Sequence, residues 1–356
     1  SPAGTDYGYF GGGYNSGNIT TVDRIDYSSD TPTAAAKGPL TQGAYAVSAT
    51  GNTSYGYFGN YRTPTSNQTT HLDRIDYSSD TPTAVAKGPL ASTRYQAAAT
   101  GNTSYGYWGG GKISPGPATS SVDRLDYAND TSTAASKGPL SLARREPTAT
   151  GTTSYGYYGG GSSGGPPYVF GVTTIDRIDY ASDTDTAVAK GPFDSGRFYT
   201  GASGNASYGY WAGGRIYPGG NKSDVHRIDY SNDTATASPK GPLNATRYGI
   251  GGTGNTSYGY FGGGAPGTKT TVDRIDYSND TPTATAKGPL SQGRAYIGAV
   301  SSRINGFPTV AQSDNQGIIS YSDTAGEQND TTCQLDVNAT GKIKFSGAAG
   351  IVTSTS

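Results

Sequence analysis

A short charged motif recurs six times along the 356-residue chain, and its spacing leaves few folds open. Asp23-Arg24-Ile25-Asp26-Tyr27 returns at residues 73–77, 123–127 (with Leu125), 176–180, 226–230 (with His226 for the first Asp) and 273–277. Counted at Arg24, Arg74, Arg124, Arg177, Arg227 and Arg274, the period is 47–53 residues. Two further blocks keep step. Tyr-Gly-Tyr plus an aromatic begins at Tyr7, Tyr55, Tyr105, Tyr155, Tyr208 and Tyr258; Lys-Gly-Pro-Leu or -Phe begins at Lys37, Lys87, Lys137, Lys190, Lys240 and Lys287. Each such unit cannot bury its apolar face alone, so successive copies must stack.

Every unit reads as four short strands. Strand a follows Lys-Gly-Pro-Leu, as in 94–100 or 247–253, and a Gly-Asn or Gly-Thr turn suited to tight hairpins closes it. Strand b is the aromatic Tyr-Gly-Tyr-Phe block, a composition that favours a half-buried pleated surface. Strand c is Val-Asp-Arg-Ile-Asp-Tyr, whose period of two sets Asp23, Ile25 and Tyr27 on one face and Arg24 and Asp26 on the other. Strand d is expected over Thr-Pro-Thr-Ala-Thr-Ala; Pro32, Pro82 and Pro282 there demand an outer edge. No stretch sustains a helical period, so the fold class is all-β.

Four-stranded units of about 50 residues predict a β-propeller. The first unit starts at strand b, and an extra strand a over 294–301 follows the last, which makes 24 strands in six blades. The C-terminal strand completes the N-terminal blade, and a closed ring leaves few exposed edges. Leu90-x-x-x-Arg94, an alternating strand, a turn and Tyr105-Gly106-Tyr107-Trp108-Gly109-Gly110 resemble the first strand pair of a kelch repeat; Leu125-Asp126-Tyr127 resembles its third strand. Small residues such as Ala34 and Ala84 stand where that family closes with Trp. The resemblance spans 7–302 and implies a kelch-like six-bladed propeller. The arrays are also similar to repeats in phage and environmental surface or fibre proteins. The expected division is a propeller over 1–302 and a non-repeating, β-rich segment over 303–356. That segment carries candidate strands at 317–321, 333–337 and 342–346, and is too small to build a sufficient core alone. It is expected to dock on the propeller or on another subunit, linking copies into a homopolymer.

Composition removes several function classes. Twenty-six Lys and Arg against 27 Asp and Glu leave a net charge of −1, with no basic footprint for nucleic acid. No apolar run approaches the ~18 residues of a membrane helix. One cysteine, Cys333, excludes an internal disulfide and a thiolate zinc cluster. The chain contains no Met, so it is expected to be a processed product or part of something longer. His71 and His226 are the only near-neutral acid–base groups. The Gly-Gly-Gly segments end strands rather than open helices, so they are not phosphate loops. The sialidase Ser-x-Asp-x-Gly-x-Thr-Trp box is absent, and no carboxylate pair stands apart from the repeat. The expectation is a non-enzyme with no cofactor and no metal.

The repeated arginines Arg94, Arg144, Arg197, Arg247 and Arg294 could ring the axis for acidic sugars, but recurrence at five equivalent places, with Ala44 at the sixth, reads more simply as architecture, each pairing with a strand-c carboxylate. The b–c connections instead differ from unit to unit, and variable loops on a rigid scaffold are where binding concentrates. Tyr14, Tyr61, Arg62, Tyr168, Phe170, Arg215 and Tyr217 are the candidate ligand-binding residues, an aromatic-plus-Arg mixture suited to sugar rings. Asn-x-Ser/Thr occurs at Asn18, Asn52, Asn67, Asn102, Asn129, Asn205, Asn221, Asn232, Asn244, Asn255, Asn279, Asn329 and Asn338, all glycosylation candidates on an exported protein. These features suggest an extracellular or virion-surface building block of a fibre or appendage, assembled through 303–356. The alternative is a carbohydrate-binding receptor-recognition module using the b–c face.

Overall fold

The computed structural model describes residues 7–65, 68–163 and 170–301, with the backbone of Gln334–Val337 and Ile343–Ser346. Contacts divide the chain into two units, Ser1–Val310 and Ala311–Ser356. The first is all-β: six four-stranded antiparallel sheets arranged as the blades of a propeller. Blade 1 joins the two ends of the unit, with strands a to d at Gly298–Ser301, Tyr7–Gly11, Val22–Asp26 and Ala35–Lys37. The register Phe10↔Ala299 closes the ring as the strand count predicted. Strand a of blades 2 to 6 is Ser48–Gly51, Ala98–Gly101, Thr148–Gly151, Gly201–Gly204 and Gly251–Gly254.

Two strand assignments need correction. Strand a begins about four residues later than the alternating pattern suggested, because the residue two positions after the arginine breaks the extended backbone with a positive φ. Strand d is only three residues long, and Pro32, Pro82 and Pro282 lie in the turn before it. The edge placement nevertheless holds. Pro239 sits inside strand d of blade 5, where the missing N–H costs nothing because no further strand pairs there.

Each seam between blades has its own core, giving six apolar clusters. The repeat explains why. The glycine between the two strand-b tyrosines leaves room for the strand-c tyrosine; a Cβ on Gly8 would lie 2.3 Å from the Tyr27 hydroxyl. The second strand-b tyrosine then stacks on the strand-c tyrosine of the next blade, as Tyr9 does on Tyr77 with centroids 5.0 Å apart. Offset stacks of this kind add about 0.5–1.5 kcal/mol beyond the area they bury.

The polar face of strand c clasps the next blade. Arg24 Nη1 and the Tyr9 hydroxyl donate to Asp80 Oδ2 at 2.7 and 3.0 Å, and Lys37 Nζ lies 3.3 Å from Oδ1. The arrangement recurs at all six seams, ending with Arg274 and Lys287 on Asp30. Burial alone would raise the Asp130 carboxyl; hydrogen bonds from Tyr57 and Lys87 and the Arg74 charge more than offset it and hold it below the ordinary carboxylate range. Alongside, the Gly88 amide donates to the Asp130 carbonyl at 2.7 Å. The Lys-Gly-Pro glycine is required by close approach: a Cβ on Gly138 would meet the Asp185 carbonyl at 1.9 Å.

The arginines before strand a also prove architectural. Arg94, Arg144, Arg197 and Arg294 are fully buried. Arg294 pairs with Asp23 at 2.9 Å and Arg247 with Asp273 at 2.7 Å; Arg94 pairs with Asp123 and Arg144 with Asp176. They also donate to backbone carbonyls, as Arg247 does to Gly263 and Thr271. A surface ring for acidic sugars is therefore ruled out at these positions.

In the second unit, Gln334–Val337 and Ile343–Ser346 form an antiparallel pair that sets Leu335 opposite Phe345 and Val337 opposite Ile343. The candidate strand over 317–321 lies outside the described residues, as do Tyr168, Asn67, Asn329 and Asn338.

Candidate axial binding site

The structure gathers variable residues at the axis, on the face that carries the b–c loops. Six positions immediately before strand a adopt the same left-handed backbone: Ala46, Gln96, Glu146, Tyr199 and Tyr296 have φ of 56–63°, and Gly249 has φ 63°. Such a conformation costs about 1–2 kcal/mol for a residue with a Cβ, so repetition at five non-glycine sites needs support. Backbone hydrogen bonds running from blade to blade supply it: Glu146 N to Gln96 O, Tyr199 N to Glu146 O, Gly249 N to Tyr199 O and Tyr296 N to Gly249 O. One backbone geometry thus presents six different side chains around the axis.

A second ring surrounds the first. The residue before each left-handed position bridges to the residue three places beyond the end of strand b, giving Ala295–Tyr14, Tyr45–Arg62, Tyr95–Lys112, Arg145–Ser162, Phe198–Arg215 and Tyr248–Ala265. Aromatic rings and cations alternate there. The Arg62 guanidinium lies over Tyr45 and Tyr95 at 5.7 and 5.2 Å, and Arg215 over Tyr248 at 5.7 Å. Tyr296 touches Tyr45, Tyr199 and Tyr248.

Inside this mouth is a cavity of about 70 Å³, lined by Gln96, Glu146, Tyr199 and Tyr296 with Val47, Pro147 and Ile297. Further along the axis, Ala49, Ala99, Ala149, Ala202, Gly252 and Ala299 narrow the passage. Gln96 Nε2 donates to the Tyr199 hydroxyl. Arg145 Nε is 3.5 Å from Glu146 Oε1. Burial pushes the Glu146 carboxyl up against the opposing charge of Arg145 and the side-chain hydrogen bonds of Tyr199 and Gln96 to the carboxyl. Burial and then the Glu146 charge push the Tyr199 hydroxyl well above its ordinary range, so it stays protonated. Among the described residues, Gln96 Oε1 and Glu146 Oε2 are buried without a hydrogen-bond partner, an uncommon and costly state for acceptors.

The sequence-derived candidates divide. Tyr14 packs edge-on against Tyr45, and Arg62 and Arg215 join the second ring. Phe170 and Tyr217 stand exposed on the fourth and fifth b–c connections, away from the cavity lining. Tyr61 is not a ligand residue: it is fully buried and donates to Asp73 Oδ2 at 3.1 Å. The reason is local. Ala44 stands where the other units have the buried arginine, and Tyr61 takes over the orphaned strand-c carboxylate.

Both histidines are tied into the repeat. His71 Nε2 lies 3.1 Å from Asp73 Oδ1 and 2.9 Å from Thr41 Oγ1. His226 Nε2 lies 3.1 Å from Asp194 Oδ1 and faces Arg197. Among the described residues, no group of three or more His, Cys, Asp or Glu could hold a metal ion, and no helix is long and apolar enough to cross a membrane. The sequon asparagines have local structural uses. Asn52, Asn102, Asn205 and Asn255 cap the a–b turn through Oδ1, as Thr152 does in blade 4. The Asn244 and Asn18 amides donate to Asp273 and to the Arg62 carbonyl.

No protein-family model and no curated protein matches the chain. Among solved structures it is similar to one described as "Structure of YjhT", with a TM-score of 0.59 and 14% identity over 72% of this chain and 86% of that one. At that identity the likeness speaks for the propeller fold alone.

Proposed function

We propose that the protein is a non-enzymatic recognition module that binds glycans at the axial mouth of its propeller. A propeller fold is compatible with an interaction role. The observation that carries the proposal is the inner ring, where one backbone conformation holds Ala, Gln, Glu, Tyr, Gly and Tyr while strands b and c repeat. Tyrosine faces beside guanidinium groups match the apolar faces and hydroxyl edges of sugars. Both histidines are engaged by carboxylates within repeat contacts, which supports the non-enzymatic reading. A glycan array probed with the whole chain tests it: bound members are expected, and an array without a binder would sink the idea.

A second reading is supported by the paired strands in 311–356, whose register sets apolar positions opposite one another. In it, the kelch-like propeller is an extracellular or virion-surface building block, glycosylated at some of its sequons and joined to its neighbours through 303–356. Sedimentation of the intact chain and of a chain lacking 305–356 separates the outcomes. The deletion should be monomeric where the intact chain assembles; unchanged assembly would refute the role of the tail.

A further inference from the structure

We propose that the axial site binds its glycan end-on, with a hydroxyl-bearing terminus inserted between Gln96 and Glu146. This rests on the glycan-recognition reading above and specifies which part of the glycan is read. Three observations lead to it.

The first is size. A cavity of about 70 Å³, set in the axial mouth and walled by Gln96, Glu146, Tyr199 and Tyr296, has room for a terminal diol or hydroxymethyl group. The second is hydrogen-bonding sense. Gln96 Oε1 and Glu146 Oε2 are acceptors on adjacent blades, both residues are more than nine-tenths buried, and neither atom has a partner among the described residues. The inserted group must therefore donate. Arg145 Nε lies 3.5 Å from Glu146 Oε1, outside the cavity lining. A hydroxyl supplies the proton that the two acceptors call for.

The third is charge. An ammonium group could also donate to the two acceptors, but Arg62, Lys112 and Arg145 occupy the second ring on three successive blades. A cationic terminus would meet them on entry, so the site favours a neutral or acidic hydroxylated end over an amino sugar. Tyr199 and Tyr296, edge to face at 5.0 Å and both lining the cavity, offer faces to the ring that stays outside.

The test uses an array of neutral, amino- and uronic-acid-terminated oligosaccharides tethered through their reducing ends. The strongest member is then titrated calorimetrically against the intact chain and three variants. Gln96→Ala recreates Ala46, which already holds the same left-handed backbone, and Glu146→Gln keeps the shape of the side chain; cooperative melting at no lower a temperature than the parent's establishes that both fold. Each is expected to weaken binding at least about tenfold, the worth of one lost hydrogen bond near 1.4 kcal/mol, while Tyr217→Ala changes it less than about twofold. The same glycan capped on its terminal hydroxyls should not bind. Should a glycan bind and only Tyr217→Ala weaken it, recognition stands and end-on insertion at the axis is overturned. Exclusive binding of amino-terminated members overturns the assigned chemistry, and an array with no binder overturns the recognition reading with it.

Discussion

The seams and the axial mouth are both built from one position repeated in every blade, yet they use repetition in opposite ways. At each seam the same Tyr, Arg and Lys meet the same Asp, from Arg24 and Asp80 around to Arg274 and Asp30. At the mouth the backbone repeats and the side chains do not. Identity at equivalent places serves closure, which every blade must satisfy alike. Variation at equivalent places breaks the six-fold symmetry and lets a single orientation of an asymmetric ligand be preferred. The contrast can be tested by damaging each region in turn.

The largest effect belongs to the seam. Gly138→Ala places a methyl group 1.9 Å from the Asp185 carbonyl, and both partners are backbone. The blades must separate locally, so a loss of at least about 4 kcal/mol is expected, at the extreme for a single substitution. Denaturant unfolding should show a large fall in midpoint or no folded protein. A near-native midpoint would mean that the close approach is not a constraint on closure.

Next comes the clasp. Asp130→Ala leaves Arg74, Lys87 and the Tyr57 hydroxyl without their shared acceptor. Breaking one side of a buried pair costs about 3–5 kcal/mol, and the part-exposed arginine brings the expectation to about 3. The pH dependence has a definite sign. Asp30, Asp130 and Asp183 are held below the ordinary range by their partners, against burial. Their contribution is complete above about pH 4, near the unfolded value, and is lost as pH falls through the folded values. Acid unfolding of the parent should therefore be steep below that pH and shallower in Asp130→Ala.

Strand order, blade number and closure could be read from the sequence because they depend on repeated residues: Tyr9, Arg24 and Lys37 have counterparts in all six units. The left-handed turn could not. Arg94 to Thr100 reads as one alternating strand, and nothing about Gln96 or Glu146 advertises a positive φ; Gly249 alone hints at it. The loop candidates lie where length varies, whereas the site lies where length is constant and identity varies. Tyr61 misled for a related reason. Its aromatic side chain suggested a ligand, but it compensates for Ala44 by reaching Asp73.

Blade 5 offers a smaller perturbation. Its carboxylate has moved from strand c to the d–a loop, so Arg197 and His226 both approach Asp194. Burial, then the Arg197 charge, lowers the His226 imidazole below its ordinary value. The unfolded histidine, near 6.5, therefore takes up its proton first. Stability is complete above that pH and falls as pH drops toward the folded value. A loss of stability between pH 7.5 and 5.5 is therefore expected. His226→Asn should flatten that leg and leave the acid leg of the clasp aspartates in place. Equal slopes in parent and variant would assign the titration elsewhere.

The smallest effect carries the comparison furthest, because its sign differs from the others. Burial raises the Glu146 carboxyl despite Arg145, so the ionised form is disfavoured in the folded chain. That cost is present above the folded pKa and vanishes below the unfolded value, near 4.3. Glu146→Gln should therefore stabilise the propeller at pH 7, by up to about 1 kcal/mol, with a gain that shrinks as pH falls. Seam substitutions are all expected to destabilise, since every clasp residue serves the fold. A mouth substitution that stabilises marks a side chain held at the expense of stability, as buried acceptors that wait for a ligand are. If Glu146→Gln instead destabilises at pH 7, the carboxylate is structural, and the mouth differs from the seams in appearance only.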